Sequence, residues 1–307
     1  MKVRRTLIGL ALITILYLLA LGWADSRNQV FAQIPAIATA LPALMGMALL
    51  SYLVRYTRWR WLLGRADSTT PWFSGFYAYL SGFAFTATPG KVGELIRIRY
   101  LQPIGVPPST VFGAFVYERA FDLISVLALS CLALTQTHIF PFVLGFVALF
   151  LGLVVLVASH LRWLGRASAL LRRWHFKRLA RLTTTLKNGL QACRLWLTPL
   201  DMLVSLALGV LAWSITAFSF TWLLTQLNIS IAFLPSLAIY PLAMLAGAAS
   251  MMPGGVGSTE VTIVALLAVF GVSTAQATLA AVGIRFATLW FAVLCGLAAC
   301  GVLERRG

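Results

Sequence analysis

The chain has 307 residues, of which 60% are apolar and only 10% charged, with a mean hydropathy of +0.90. Soluble domains carry about 25% charged residues, so a water-soluble globule is excluded and a membrane-embedded domain remains. Basic residues outnumber acidic ones 24 to 8, for a net charge of +16. They sit between apolar runs rather than on a polar domain, so they report membrane orientation and anionic lipid and argue against nucleic acid.

In chain order, the first apolar segment is Thr6 to Trp23, preceded by Lys2, Arg4 and Arg5. Gly22-Trp23-Ala24 ahead of Asp25 resembles a signal-peptidase site, but the many spans that follow favour a retained first helix. A second run extends from about Ile34 to Tyr56 and ends in Arg55, Arg58, Arg60 and Arg65. The third, Pro71 to Thr88, is shorter and stops at Pro89-Gly90; Lys91-Val92-Gly93-Glu94 and then Leu95 to Leu101 follow. Long apolar stretches come next at 107–135, with Glu118, Arg119 and Asp122 in the first half, and at 139–159.

Between Asp122 and Asp201 there is no acid, and the segment Arg162 to Arg194 is strongly basic. Leu171, Trp174, Leu179, Leu182, Leu186, Leu190 and Cys193 recur within it at helical spacing, predicting an amphipathic helix on an anionic leaflet or an ordinary cytoplasmic loop helix. The last runs are 199–226, 235–252, 256–270 and 274–303, and Pro253-Gly254-Gly255 separates the middle two. Cys131, Cys295, Cys300, His138, His160 and His175 are scattered without ligand or disulfide spacing, so no metal or cofactor is expected. Tryptophans such as Trp59, Trp61, Trp72, Trp163, Trp174 and Trp196 lie beside the basic stretches and read as interfacial anchors.

Excess positive charge marks cytoplasmic segments. It places both termini, the Arg55–Arg65 loop and the Arg162–Arg194 segment in the cytoplasm, and compact loops without a transit peptide suggest a bacterial-type cell membrane. Parity of crossings then makes 71–101 a hairpin that enters from the cytoplasm, and 235–270 one that enters from outside. The predicted fold class is all-α: a polytopic transmembrane bundle of about six spans plus two oppositely oriented re-entrant hairpins. One domain fills 1–307, with repeat 1 at about 36–160, the basic segment at 161–197 and repeat 2 at about 199–303. Each hairpin turns at a Pro-Gly followed by a Val-Gly: Pro89, Gly90, Gly93 in one and Pro253, Gly254, Gly255, Gly257 in the other. Interrupted helices in matching positions of two halves point to a binding site near the bilayer midplane.

Ionisable groups inside the membrane cost roughly 2.5–3.5 kcal/mol each on insertion scales, so they mark function or fastening. Glu94 and Glu260 follow the two turns; Glu118 and Asp122 share a helix face at i, i+4 and require a cation nearby. Arg119, Arg97, Arg99, Lys91 and Arg285 are the candidates. Ser258 and Thr259 could donate hydroxyls to a ligand or cap a helix.

Thr88 to Arg97, Glu118-Arg119-Ala120-Phe121-Asp122, and Pro253 to Gly257 with Glu260 resemble, in order and spacing over about residues 5–303, the membrane domain of the lysylphosphatidylglycerol synthase/flippase family and its stand-alone relatives. The resemblance implies movement of a lipid head group between leaflets. Full-length synthases carry a soluble C-terminal aminoacyltransferase domain; this chain closes at Gly307, so transferase activity is not expected of it. The expected function is therefore a lipid translocator for a phospholipid or a polyprenyl-phosphate-linked lipid rather than an enzyme. Lys91, Arg97 and Arg285 would hold phosphate, and Glu94 and Glu260 would gate or meet a cationic part. Glu118, Arg119 and Asp122 would line the path or fasten helices. Without a GxxxxGK[ST] loop, transport would be passive or gradient-coupled. The alternatives are a lipid-modifying membrane enzyme using Glu118 and Asp122, and a non-transporting subunit that docks a lipid synthase. Membrane lipids are the expected partners, and a homodimer is an open option.

Overall fold

The computed structural model describes residues 34–134 and 177–306, together with residue 145. The predicted spans at 6–23 and 139–159 and the basic stretch 162–176 lie outside them. Among the described residues all regular structure is helical, and no strand occurs. The first half contains α1 (Ile34–Arg65), α2 (Trp72–Ser81), α3 (Arg97–Leu101) and α4 (Pro108–Leu134). After α5 (Lys177–Ala192) the second half contains α6 (Pro199–Gln226), α7 (Phe233–Ala249) and α8 (Ser258–Val269). It closes with α9 (Thr274–Arg285), a widened π-turn (Phe286–Trp290) and α10 (Phe291–Arg306).

Among the described residues, three helical stretches are long and apolar enough to cross a membrane: Ile37–Arg65, Pro199–Gln226 and Thr274–Arg305. The chain is a multi-pass membrane protein. α4 has the length as well, at 27 residues, but carries Glu118, Arg119 and Asp122 within it. By contrast α2 has 10 residues and α8 has 12, about 15 and 18 Å at 1.5 Å per residue. A bilayer core is about 30 Å thick.

Local chemistry explains most helix ends. α6 begins where Thr198, in extended conformation, accepts a hydrogen bond from the Asp201 N–H, with Pro199 in the first helical turn; a hydroxyl cap and a proline are both favoured there. Ser273 caps α9 in the same way through Gln276 N–H. The helical run that follows α2 breaks at Pro89–Ile96, where Gly90 and Lys91 take left-handed φ values of 61° and 56°. A second break separates α7 from α8 at Pro253–Gly255, where Gly254 and Gly255 have φ of 63° and 64°. These angles suit glycine, which lacks the Cβ clash.

One boundary departs from the sequence reading. The Arg55–Arg65 stretch, expected as a cytoplasmic loop, is the last third of α1, and the connecting loop begins only after Arg65. Arg55 and Arg58 are drawn into the fold by carboxylates on α4, so their charge does not stop the helix. Asp201 is fully buried and takes hydrogen bonds from Trp61 Nε1 (2.9 Å) and Arg65 Nε (3.2 Å). The end of α1 thus meets the start of α6, whereas Ile37, Ala40 and Leu44 pack with Phe220, Leu223 and Leu224 at the other end. α1 and α6 therefore run antiparallel.

The two halves clasp each other reciprocally. α4, the last described helix of the first half, packs on α7 of the second, and α10, the last helix of the second, packs on α2 of the first. The paired turns also touch: a methyl group at Gly254 would lie 3.3 Å from Ala87 Cα. The amphipathic helix is present as α5, but it packs against α4 of this chain. Gly113 approaches the Gly189 carbonyl so closely that a methyl there would sit 2.7 Å away. Buried Trp196 follows α5, donating from Nε1 to Leu62 O (2.9 Å) and accepting at its own carbonyl from Tyr117 OH (2.8 Å).

Candidate functional site

The first half carries a buried charge network. Asp122 Oδ1 accepts from Arg58 Nη2 at 2.6 Å, and Oδ2 accepts from Arg55 Nη1 and meets Arg119 Nη2, each at 3.0 Å. Glu118 Oε1 takes the same Arg58 nitrogen at 3.3 Å and the Tyr79 hydroxyl at 3.0 Å. The like-charged i, i+4 pair is thus bridged by one guanidinium from α1. Arg58 and Glu118 are both fully buried, where a charge survives only if paired and hydrogen-bonded.

Arg97 links this network to the first turn. It donates to Glu94 Oε2 (3.0 Å), Glu118 Oε2 (3.5 Å) and Tyr79 O (3.0 Å), and its guanidinium stacks on Tyr79 and Trp59 at 4.1 and 4.9 Å. Gly82 makes room for it: a methyl there would stand 2.5 Å from Arg97 Nε. Glu94 also accepts from Thr86 Oγ1 at 3.1 Å.

The second half carries a simpler pair. Glu260 Oε2 accepts from Gly257 N–H at 2.8 Å, at the first turn of α8, and Oε1 accepts from Arg285 Nε at 2.9 Å. Arg285 Nη2 reaches the Gly254 carbonyl at 2.5 Å. An acid at a helix start meets the positive end of the backbone dipoles. Arg119 and Arg285 each fall on the twelfth residue of their helices, α4 and α9. Beyond Arg285, the Thr288 hydroxyl on the π-turn bonds Tyr240 OH (2.8 Å), while its carbonyl accepts from Tyr52 OH (3.1 Å).

Both systems border one cavity of about 110 Å³. Its wall includes Arg55, Lys91, Glu94, Arg119 and Arg285, the hydroxyls of Thr86, Thr216, Ser219 and Thr288, and the rings of Tyr52, Trp213 and Tyr240. Gly254 of the second turn joins Lys91 of the first on that wall. Four cations therefore face one carboxylate, Glu94.

Several sequence expectations change here. Arg97, expected to touch phosphate, is 1% exposed and does not border the cavity; three acceptors and three aromatic faces hold it as a brace. Glu118, Asp122 and Glu260 stand one layer behind the wall and orient its arginines. Ser258 is tied to Ser250 Oγ and Gly255 O at 2.8 and 3.1 Å and is not on the wall. Gly257, rather than Ser258, sits at the cap position of α8. Arg99 pairs with Glu304 on the surface instead of with Glu118 or Asp122. Arg55 and Arg58 were missed because clustered arginines at the end of an apolar run read as a cytoplasmic boundary. Their i, i+3 spacing, which matches one face of α1 to the Glu118–Asp122 face, was the available signal. Outside the spans, burial pushes the Cys193 thiol up to about 12, which suits a packing role beside Gly113 O rather than nucleophilic chemistry.

The architecture is that of an all-helical, multi-pass membrane protein with a cationic cavity where two glycine-rich helix breaks meet. Residues 6–296 match the family model described as the lysylphosphatidylglycerol synthase TM region, and the chain belongs to that family. No curated protein and no solved structure matches it.

Proposed function

We propose that the chain translocates lipid head groups, of a phospholipid or a polyprenyl-phosphate-linked lipid, between the leaflets of the cytoplasmic membrane. The observation that carries this reading is the charged cavity at the junction of two helix breaks. Broken backbone at membrane depth is tolerated where it lines a wet cavity or is buried in protein. Helices too short to span, arranged in both halves around such a cavity, fit two re-entrant hairpins. The antiparallel α1–α6 pair and the reciprocal clasp of the halves fit an inverted repeat, the arrangement in which binding sites lie at the repeat interface. The arginine-rich end of α1 and the α5 segment then face the cytoplasm, as do both termini.

In this mechanism the head group leaves the interface for the cavity while its tails stay among the lipids. The wall cations replace its hydration, and Glu94 meets any cationic portion. Exchange of sides follows from the halves rocking about the contact between the two turns. Movement is passive or coupled to an ion gradient.

The test is loss of protection of head-group-labelled lipids in proteoliposomes treated with an impermeant quencher. Wild type should accelerate flip over empty vesicles, and Arg119→Gln should slow it by about tenfold or more, since one charge–charge contact at the edge of a low-dielectric cavity exceeds 1.4 kcal/mol. Flip no faster than in empty liposomes across several lipid classes would sink the proposal. Appearance of a new lipid species would move the assignment to a lipid-modifying enzyme.

A further inference from the structure

The charges in and behind the cavity do not cancel, although Lys91, Arg119 and Glu260 are only half-buried. The cations in and behind the cavity are Arg55, Arg58, Lys91, Arg97, Arg119 and Arg285, and the acids are Glu94, Glu118, Asp122 and Glu260. Two positive charges remain. Every one of the arginines has a carboxylate within 4.0 Å, whereas the Lys91 side chain has no ion pair or hydrogen bond among the described residues, its backbone N–H alone bonding Thr88 O at 2.9 Å. It nonetheless borders the cavity and is held at φ 56°, a left-handed backbone that a lysine adopts only at a cost. Strained backbone at an unpaired charge marks a position kept for a ligand.

We infer that the cavity takes the dianionic phosphate monoester at the end of a lipid, with Lys91 as the residue that distinguishes it from a phosphodiester. This rests on the translocation reading of the same cavity. A monoester, whose second pKa is near 6, carries about −1.5 to −2 charges at neutral pH; a diester carries one. The monoester is the closer match to a surplus of two around a half-buried cavity, where uncompensated charge is costly. Size agrees. A cavity of 110 Å³ is well above the roughly 10–15 Å³ that one water needs on the same measure, so a terminal phosphate fits. The hydroxyls of Thr86, Thr216 and Thr288 supply neutral contacts for its oxygens.

The experiment measures binding to the full-length purified chain by native mass spectrometry, with dioleoyl phosphatidic acid, phosphatidylglycerol and phosphatidylcholine, and with inorganic phosphate alone. Phosphatidic acid is expected to bind at least about tenfold more tightly than phosphatidylglycerol, the scale of one additional charge contact. Lys91→Gln should erase that preference, Lys91→Arg should keep it, and neither should lower Tm, because Lys91 holds no other side chain. Equal binding of the two lipids by wild type, or an intact preference in Lys91→Gln, would overturn the inference. The wild-type comparison stands alone should a variant fail to fold. Inorganic phosphate binding as tightly as phosphatidic acid would make a soluble ion the source and overturn the lipid assignment. The flip assay separates the two readings. Flip of both lipids without a monoester preference sinks this inference and leaves translocation standing, whereas selective binding without flip does the reverse.

Discussion

Arg58 joins both acids of α4 through one nitrogen, at 3.3 and 2.6 Å, and α6 passes it at Gly209, where a methyl would lie 2.8 Å from Nη1. Removing one partner of a buried ion pair costs about 3–5 kcal/mol, because the other charge is stranded. Arg58→Met should therefore lower stability by that amount in thermal unfolding of the solubilised protein. Adding Asp122→Asn should recover part of the loss, with a coupling energy above about 0.5 kcal/mol in the double-mutant cycle; simple additivity would show that the pair is not energetically linked. Lys91 is the counter-case, since its replacement should alter ligand preference and not stability. The acids and most cations of this site were legible in the sequence because charge is scarce in an apolar chain. Their division into wall and brace was not, since Arg97 and Arg119 differ only in which way their helices face.

At the level of elements, the two helix breaks were legible because Pro-Gly followed by Val-Gly interrupts each apolar run at a matching place. Helix α6 was equally plain, from its Thr-Pro start to Gln226. The end of α1 was not, because a run of arginines looks the same whether water or buried carboxylates receive it. The turns can be tested through glycine. Gly254→Ala must hold alanine at φ 63° and press on Ala87, whereas Gly271→Ala meets the same kind of strain, at φ 76°, in open space. Left-handed alanine costs roughly 1–2 kcal/mol, so Gly271→Ala should show that loss alone and leave flip unchanged. Gly254→Ala should lose more and slow flip. Equal losses, with equal flip rates, would mean that contact between the turns has no mechanical role.

On the scale of the whole molecule, the reciprocal packing of α4 on α7 and α10 on α2 was not legible. Sequence periodicity shows which faces are apolar but not which faces pair. The orientation proposed for the chain has a direct check. In a background with the native cysteines replaced, Ser273→Cys should react with an impermeant maleimide from outside the cell, and Asp67→Cys only after permeabilisation. The opposite pattern would invert the topology. The clasp also bears on synthesis. At about 5–20 residues per second, α7 leaves the ribosome several seconds after α4, so the α4 face it covers must wait in lipid. Yet Glu94, Glu118 and Asp122 find their arginines within the first half, and Glu260 finds Arg285 within the second. Each half thus enters the bilayer with its cavity acids already matched, and Asp201, which takes Arg65 and Trp61 of the first half, is the buried acid left for the late meeting. Two separately encoded halves, divided within 145–177, should on that basis assemble into a working protein when made together.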